Sequence, residues 1–152
     1  EFVSDFDRLS MCSVAFSDID GAVVPDCEMK NGGVSYSFDT VSHFKAKYPD
    51  DDFYFIMGSD MLLTFDKWYR YEEILLMTSL ICTARNCGEY DTLLCKAKEL
   101  DTVGNRIFVM KTDPFEISSS QVREMIRNGE DDSRYLPQSV AQYIKLKNLY
   151  LE

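Results

Sequence analysis

At 152 residues, with 45% apolar and 13% aromatic side chains, the chain is long enough to bury a hydrophobic core as one domain, which excludes a disordered or low-complexity polypeptide. It holds no apolar run of about 18 residues, so no membrane span is expected, and its acidic start, "EFVSDFDRLS", does not resemble a signal peptide. A net charge of -10 repels a phosphate backbone over most of the surface, so nucleic acid is not expected as a partner, whereas a local pocket for a small nucleotide is compatible with it.

Taken in chain order, Ser4-x-x-Asp7 has the spacing of a helix start, followed by Leu9, Met11, Val14 and Ala15 on a helical period. Residues 21–28 are short, partly β-branched and interrupted by Pro25, which predicts an edge strand. "NGGVSY" is a turn in which Gly32 and Gly33 permit tight backbone geometry. A helix is predicted from Ser37 to Lys47, closed by Pro49. "FYFIMG" over 53–58 is the clearest buried strand, "SLICTA" over 79–84 the next and "NRIFVM" over 105–110 the third. Between the last two, residues 89–100 read as helical, and two helices close the chain.

This alternation predicts an α/β fold with a parallel sheet covered by helices on both faces, in a single domain over residues 1–152. Ligands of such sheets bind beyond the carboxyl ends of the strands. Three polar clusters fall at or near such ends, at 58–60, 85–88 and 117–123.

The last cluster carries the most chemistry. Ser118 and Gln121 have capping-box spacing, and Val122, Met125 and Ile126 form a buried stripe. A cap needs one hydroxyl of the three, which leaves Ser119 and Ser120 to offer donors to an anion at the helix start, with Arg123 one turn further in. Plain capping and phosphate binding both fit these residues. Elsewhere, Tyr36 and Ser37 stand in a turn leading into a helix, where Ser37 also suits an N-cap. Asp60 follows Gly58 at a strand end and is likewise an N-cap candidate. Trp68, the single tryptophan, fits either the core or a stacking platform. His43 is the one histidine, placed mid-helix, so no Ser-His-Asp set can form, and Asp131 with Asp132 reads as a solvated loop. The five cysteines, Cys12, Cys27, Cys82, Cys87 and Cys95, match no zinc spacing and read as reduced thiols of a cytoplasmic protein.

"ISSSQVREMIRNG" followed by "YLPQSVAQYIKLKNLY" resembles the C-terminal signature of the bacterial nicotinate-nucleotide adenylyltransferases, and "GGVSYSFDT" and "YFIMGSDMLLTFDKWYRYEEIL" resemble the same family in the same order. The resemblance extends over essentially all of the chain. It implies a Rossmann-like nucleotidyltransferase fold, with 117–152 as a helical triphosphate-binding segment, and transfer of the adenylyl group of ATP, with Mg2+, to nicotinate mononucleotide in NAD biosynthesis. By that resemblance Ser119, Ser120 and Arg123 hold the triphosphate, with Ser118 as helix cap. Tyr36, Ser37, Trp68 and Tyr69 face the nicotinate, Gly58 lets the ligand approach the backbone, and Asp60 bonds ribose hydroxyls. Arg85 stands where the family has Arg-Pro-Gly, although here the stretch reads "RNCG". Serines replace commoner threonines at Ser37 and Ser120. The family's Gly-x-Phe-x-Pro-x-His-x-x-His stretch and first strand have no counterpart in these residues and would lie upstream of Glu1, so turnover by these 152 residues alone is not expected. Three alternatives remain open: a non-catalytic nucleotide-binding or oligomerising module, a sister enzyme using nicotinamide mononucleotide, and a flavodoxin-like domain with no phosphate chemistry.

Overall fold

The computed structural model describes residues 3–31, 33–84, 88–102, 104, 106–112, 117–130 and 134–151. They divide between two compact units, one formed by 32–116 and the other by 1–31 with 117–152.

In the unit formed by 32–116, three parallel strands stand in the order β1-β2-β3: β1 (Tyr54–Gly58), β2 (Ser79–Thr83) and β3 (Ile107–Met110). Tyr54 pairs with Ser79 and Gly58 with Thr83, while Leu80 pairs with Ile107 and Thr83 with Met110. Parallel strands cannot be joined by tight turns, and each crossover here carries helix. Helix α3 (Ser37–Lys47) precedes β1. Helix α4 (Ser59–Leu63), a 3-10 turn (Phe65–Lys67) and α5 (Tyr71–Met77) lie between β1 and β2, and α6 (Tyr90–Leu100) lies between β2 and β3. Buried Thr78 fastens the entry to β2, its hydroxyl donating to the Phe53 carbonyl at 2.9 Å.

Period-2 alternation sends Met57, Leu80 and Cys82 into a core with Leu62, Phe65, Ile74, Leu75 and Leu93. Burial pushes the Cys82 thiol up to about 11, so it packs as a small inert hydrophobe. The alternate residues Tyr54, Ile56, Phe108 and Met110 project from the opposite face and are exposed, Ile56 by 71%.

The other unit holds α1 (Asp5–Ala15), α2 (Cys27–Asn31), α7 (Ser119–Asn128) and α8 (Gln138–Lys147). Ser4 caps α1 as its spacing predicts, accepting from the Asp7 N–H at 3.1 Å. α1 packs on α8, whose Ser139 hydroxyl donates to the Val14 carbonyl at 2.9 Å and whose Tyr143 hydroxyl donates to Asp7 Oδ1 at 2.8 Å. The edge strand expected over 21–28 does not form. Pro25 has no N–H for a ladder, and the residues after it wind into α2, where Lys30 N–H bonds the Asp26 carbonyl at 3.1 Å and Lys30 Nζ lies 2.9 Å from Asp26 Oδ1.

Candidate active site

Four of the residues singled out from the sequence converge in the unit formed by 32–116. Tyr36, Ser37, Trp68 and Tyr69, joined by Ser35 and Lys67, line one pocket of about 270 Å³. Two chain segments some thirty residues apart build it. Tyr36 is the N-cap residue of α3 and contributes no side-chain cap bond, so Ser37 is the first helical residue rather than the cap its sequence setting also allowed. Among the described residues the Ser37 hydroxyl makes no hydrogen bond and is available to a ligand.

The second wall follows from the 3-10 turn. The Lys67 N–H donates to the Thr64 carbonyl and the Trp68 N–H to the Phe65 carbonyl, both at 3.0 Å. This places the Trp68 ring edge-on to Phe55, with centroids 5.9 Å apart, and tilted against Phe65 at 5.2 Å. Trp68 is therefore both things that its sequence context allowed, a partly buried core neighbour and a pocket wall. Tyr69 stacks obliquely on Tyr36 at 4.6 Å and meets Phe38 edge-on at 5.9 Å. Arg70 adopts left-handed backbone with φ of 55°, and its guanidinium lies 3.8 Å over the Phe38 ring while pairing with Glu73. The hydrogen bond from Arg70 holds the Glu73 carboxyl below its ordinary range.

Gly58 ends β1 in ordinary extended backbone, φ -82° and ψ 169°, and occupies the N-cap position of α4. Asp60 is exposed in the first turn of that helix, so the N-cap role open to it in the sequence belongs to Gly58 instead. The strand end and helix start thus present an acidic side chain near a backbone that carries no side chain. Arg85 lies outside the described residues.

Ser119, Ser120 and Arg123 belong to the other unit. Ser118 caps α7 in a complete capping box: its hydroxyl accepts from Gln121 N–H at 3.2 Å, and its own N–H donates to Gln121 Oε1 at 2.8 Å. Ser119 and Ser120 are thereby released from capping. Arg123 Nη2 donates to the Ser120 Oγ at 3.3 Å, so the guanidinium folds back toward the helix start. A cavity of about 340 Å³ beside α7 is lined by Ser119 and Arg123 together with Met11, Val122, Ile126 and Ile144. The helix ends at Gly129, whose φ of 68° suits a residue without Cβ.

Ser35 and Lys67 are pocket residues that sequence reasoning missed. The available signal was the position of Lys67, a cation directly before the single tryptophan in an acidic chain. His43 is exposed, edge-on to Phe44 at 5.3 Å, and enters no catalytic set. Cys12, Cys27, Cys82 and Cys95 are free, and Cys87, Asp131 and Asp132 lie outside the described residues. Among the described residues no helix is long and apolar enough to cross a membrane, and no group of three or more His, Cys, Asp or Glu is placed to hold a metal ion.

Residues 1–125 match the model of the cytidylyltransferase-like family. A Borrelia turicatae protein named "Probable nicotinate-nucleotide adenylyltransferase" is 34% identical over 152 residues, covering 100% of this chain and 75% of its own length. A Streptococcus pyogenes protein of the same name is 29% identical over 150 residues; the match covers 99% of this chain and 66% of the streptococcal protein. Among solved structures, that of Plasmodium falciparum nicotinic acid mononucleotide adenylyltransferase complexed with NaAD superposes with a TM-score of 0.71 at 20% identity, over 99% of this chain and 76% of that one. That likeness shows the fold: a Rossmann-like nucleotidyltransferase architecture, a parallel sheet flanked by helices.

Proposed function

The chain belongs to the cytidylyltransferase-like family and, within it, to the nicotinate-nucleotide adenylyltransferases, and from that premise we propose that the protein transfers the adenylyl group of ATP to nicotinate mononucleotide in NAD biosynthesis. A phosphate oxygen of the mononucleotide attacks the α-phosphorus of ATP, and the bond from that phosphorus to the bridging oxygen of the β-phosphate breaks. The electron pair leaves with pyrophosphate, and the product is nicotinate adenine dinucleotide. No covalent nucleophile is needed, so catalysis consists of positioning and of donors aimed at developing charge.

The observation that supports this most is the convergence of Tyr36, Ser37, Trp68 and Tyr69 on one small pocket lined by aromatic rings and hydroxyls. Trp68 offers the face on which a pyridine ring stacks, and Tyr36, Ser37 and Tyr69 bound its edge. Asp60, whose carboxyl oxygens accept hydrogen bonds, takes ribose hydroxyls, with Gly58 leaving room beside it. Ser119, Ser120 and Arg123 hold the triphosphate, within 117–152 as the triphosphate-binding segment of a single nucleotidyltransferase domain. Arg85 is kept as a further substrate-binding residue.

Magnesium ions are held largely by phosphate oxygens and water. The hydroxyls and guanidinium at α7 suit phosphate rather than a divalent cation, and no metal-ligand group of three or more occurs among the described residues. The ion comes with the substrate, magnesium-ATP. The partners of this function are small nucleotides, with neither nucleic acid nor membrane required, and its setting is the cytoplasm; a homo-oligomer is compatible with it.

The test is pyrophosphate release from magnesium-ATP, with nicotinate mononucleotide and separately with the nicotinamide form. Release that depends on the nicotinate nucleotide is expected. A folded full-length protein that releases none with either would overturn the proposal and leave a nucleotide-binding module as the better account.

A further inference from the structure

Resting on the pyridine site proposed above, we infer that Lys67 reads the ring carboxylate and so sets the preference for nicotinate over nicotinamide nucleotides. Nicotinate and nicotinamide have almost the same shape. Either ring stacks on Trp68, and the hydroxyls of Ser35, Tyr36 and Ser37 can hydrogen-bond a carboxylate or a carboxamide alike. The two ligands differ by one negative charge, which a cation separates more strongly than hydroxyls do.

Among the described residues Lys67 is the single charged one lining the pocket. The neighbouring cations are committed elsewhere. Arg70 pairs with Glu73 and lies over Phe38, while Lys96 Nζ sits 3.5 Å from Asp66 and 3.6 Å from Glu99. Lys67 is exposed and has no ion pair among the described residues, in a chain whose net charge is -10. An ammonium left unneutralised in so acidic a chain, one residue before the stacking ring, is placed for an anionic substituent on that ring. Its flexible four-carbon stem lets it close on the ligand after the ring has docked. The start of α3 at Ser37, with no side chain capping it, adds the positive end of a helix on the facing wall.

Trp68 is the only tryptophan, so its fluorescence reports on this pocket without labelling. Quenching would be titrated with nicotinate mononucleotide and with nicotinamide mononucleotide, for the unsubstituted protein, Lys67→Gln and Lys67→Arg. Lys67→Gln is expected to weaken the nicotinate nucleotide about five- to tenfold and to leave the nicotinamide nucleotide within about twofold, while Lys67→Arg keeps the preference. Added salt should narrow the preference of the unsubstituted protein and not that of Lys67→Gln. Equal weakening of both nucleotides would assign Lys67 to their shared phosphate and overturn the inference. Unchanged affinities would overturn it as well, with the pyridine site intact. If neither nucleotide quenches Trp68 in the unsubstituted protein, the site itself is wrong and the inference falls with it.

Discussion

Replacing Trp68 separates its two roles, because the ring packs against the core while the residue also lines the pocket. Its edge contact with Phe55 (5.9 Å, 80°) and its tilted contact with Phe65 (5.2 Å, 50°) are lost in Trp68→Ala. A fully buried tryptophan costs about 3–5 kcal/mol on truncation to alanine, so a partly buried one should cost about 2–3 kcal/mol. Trp68→Phe keeps an aromatic ring against both neighbours and should cost about 1 kcal/mol. With a urea m value of about 2 kcal/mol/M, the alanine variant unfolds at a midpoint lower by roughly 1–1.5 M, read by far-ultraviolet circular dichroism. Binding of nicotinate mononucleotide, measured by calorimetry, should fall by about tenfold in Trp68→Leu, which keeps apolar bulk and loses the stacking face. An alanine midpoint within about 0.3 M of the parent would refute the packing argument. A leucine variant that binds as tightly as the parent would refute the platform.

Three further outcomes follow from the other unit. Arg123→Ala should weaken ATP binding about ten- to a hundredfold by calorimetry, whereas Ser118→Ala, which removes the cap, should cost about 1 kcal/mol of stability and change ATP affinity less than about threefold. Equal effects of the two would make helix integrity, not the guanidinium, the cause. Gly129→Ala places a Cβ at φ 68° and should lower stability by about 1 kcal/mol in urea unfolding. Hydrogen bonds from the hydroxyls of Ser4 and then Tyr143 hold the Asp7 carboxyl below its ordinary 3.8. A group lowered on folding contributes its stability in full above 3.8 and loses it as pH falls through the folded value. The stability gap between the parent and Tyr143→Phe should therefore be constant from pH 5 to 7 and shrink below 3.8; a gap that widens in acid would contradict the assignment.

The elements that could be read from the chain are those whose local pattern and tertiary setting agree. "FYFIMG" is short, apolar and stopped by glycine, and it forms β1, although only Met57 of it is buried where a wholly buried strand was expected; Ser118 and Gln121 carry both halves of a capping box, and both bonds are made. Residues 21–28 misled because β-branched Val23 and Val24 favour strand only if an edge is there to pair with, and the chain instead turns at Asp26 into α2. Ser37 and Asp60 looked like helix caps by residue type, but the chain enters each helix one or two residues earlier, at Tyr36 and Gly58. Of the pocket, the ring of Trp68 and the turn at Tyr36 were legible through resemblance. Lys67 was not, because an isolated lysine on a polar stretch carries no periodic or motif signal, and its significance arises only when Asp66 and Glu73 are seen to engage Lys96 and Arg70.

Tyr54, Ile56, Phe108 and Met110, exposed together on one side of the sheet, bear on how this chain responds to temperature. Unfolding raises heat capacity chiefly by hydrating apolar surface, and these four side chains are already hydrated in the native state. Their contribution to the heat-capacity increment should therefore be smaller than that of four buried side chains, and the dependence of unfolding free energy on temperature correspondingly flatter, with cold denaturation displaced to lower temperature.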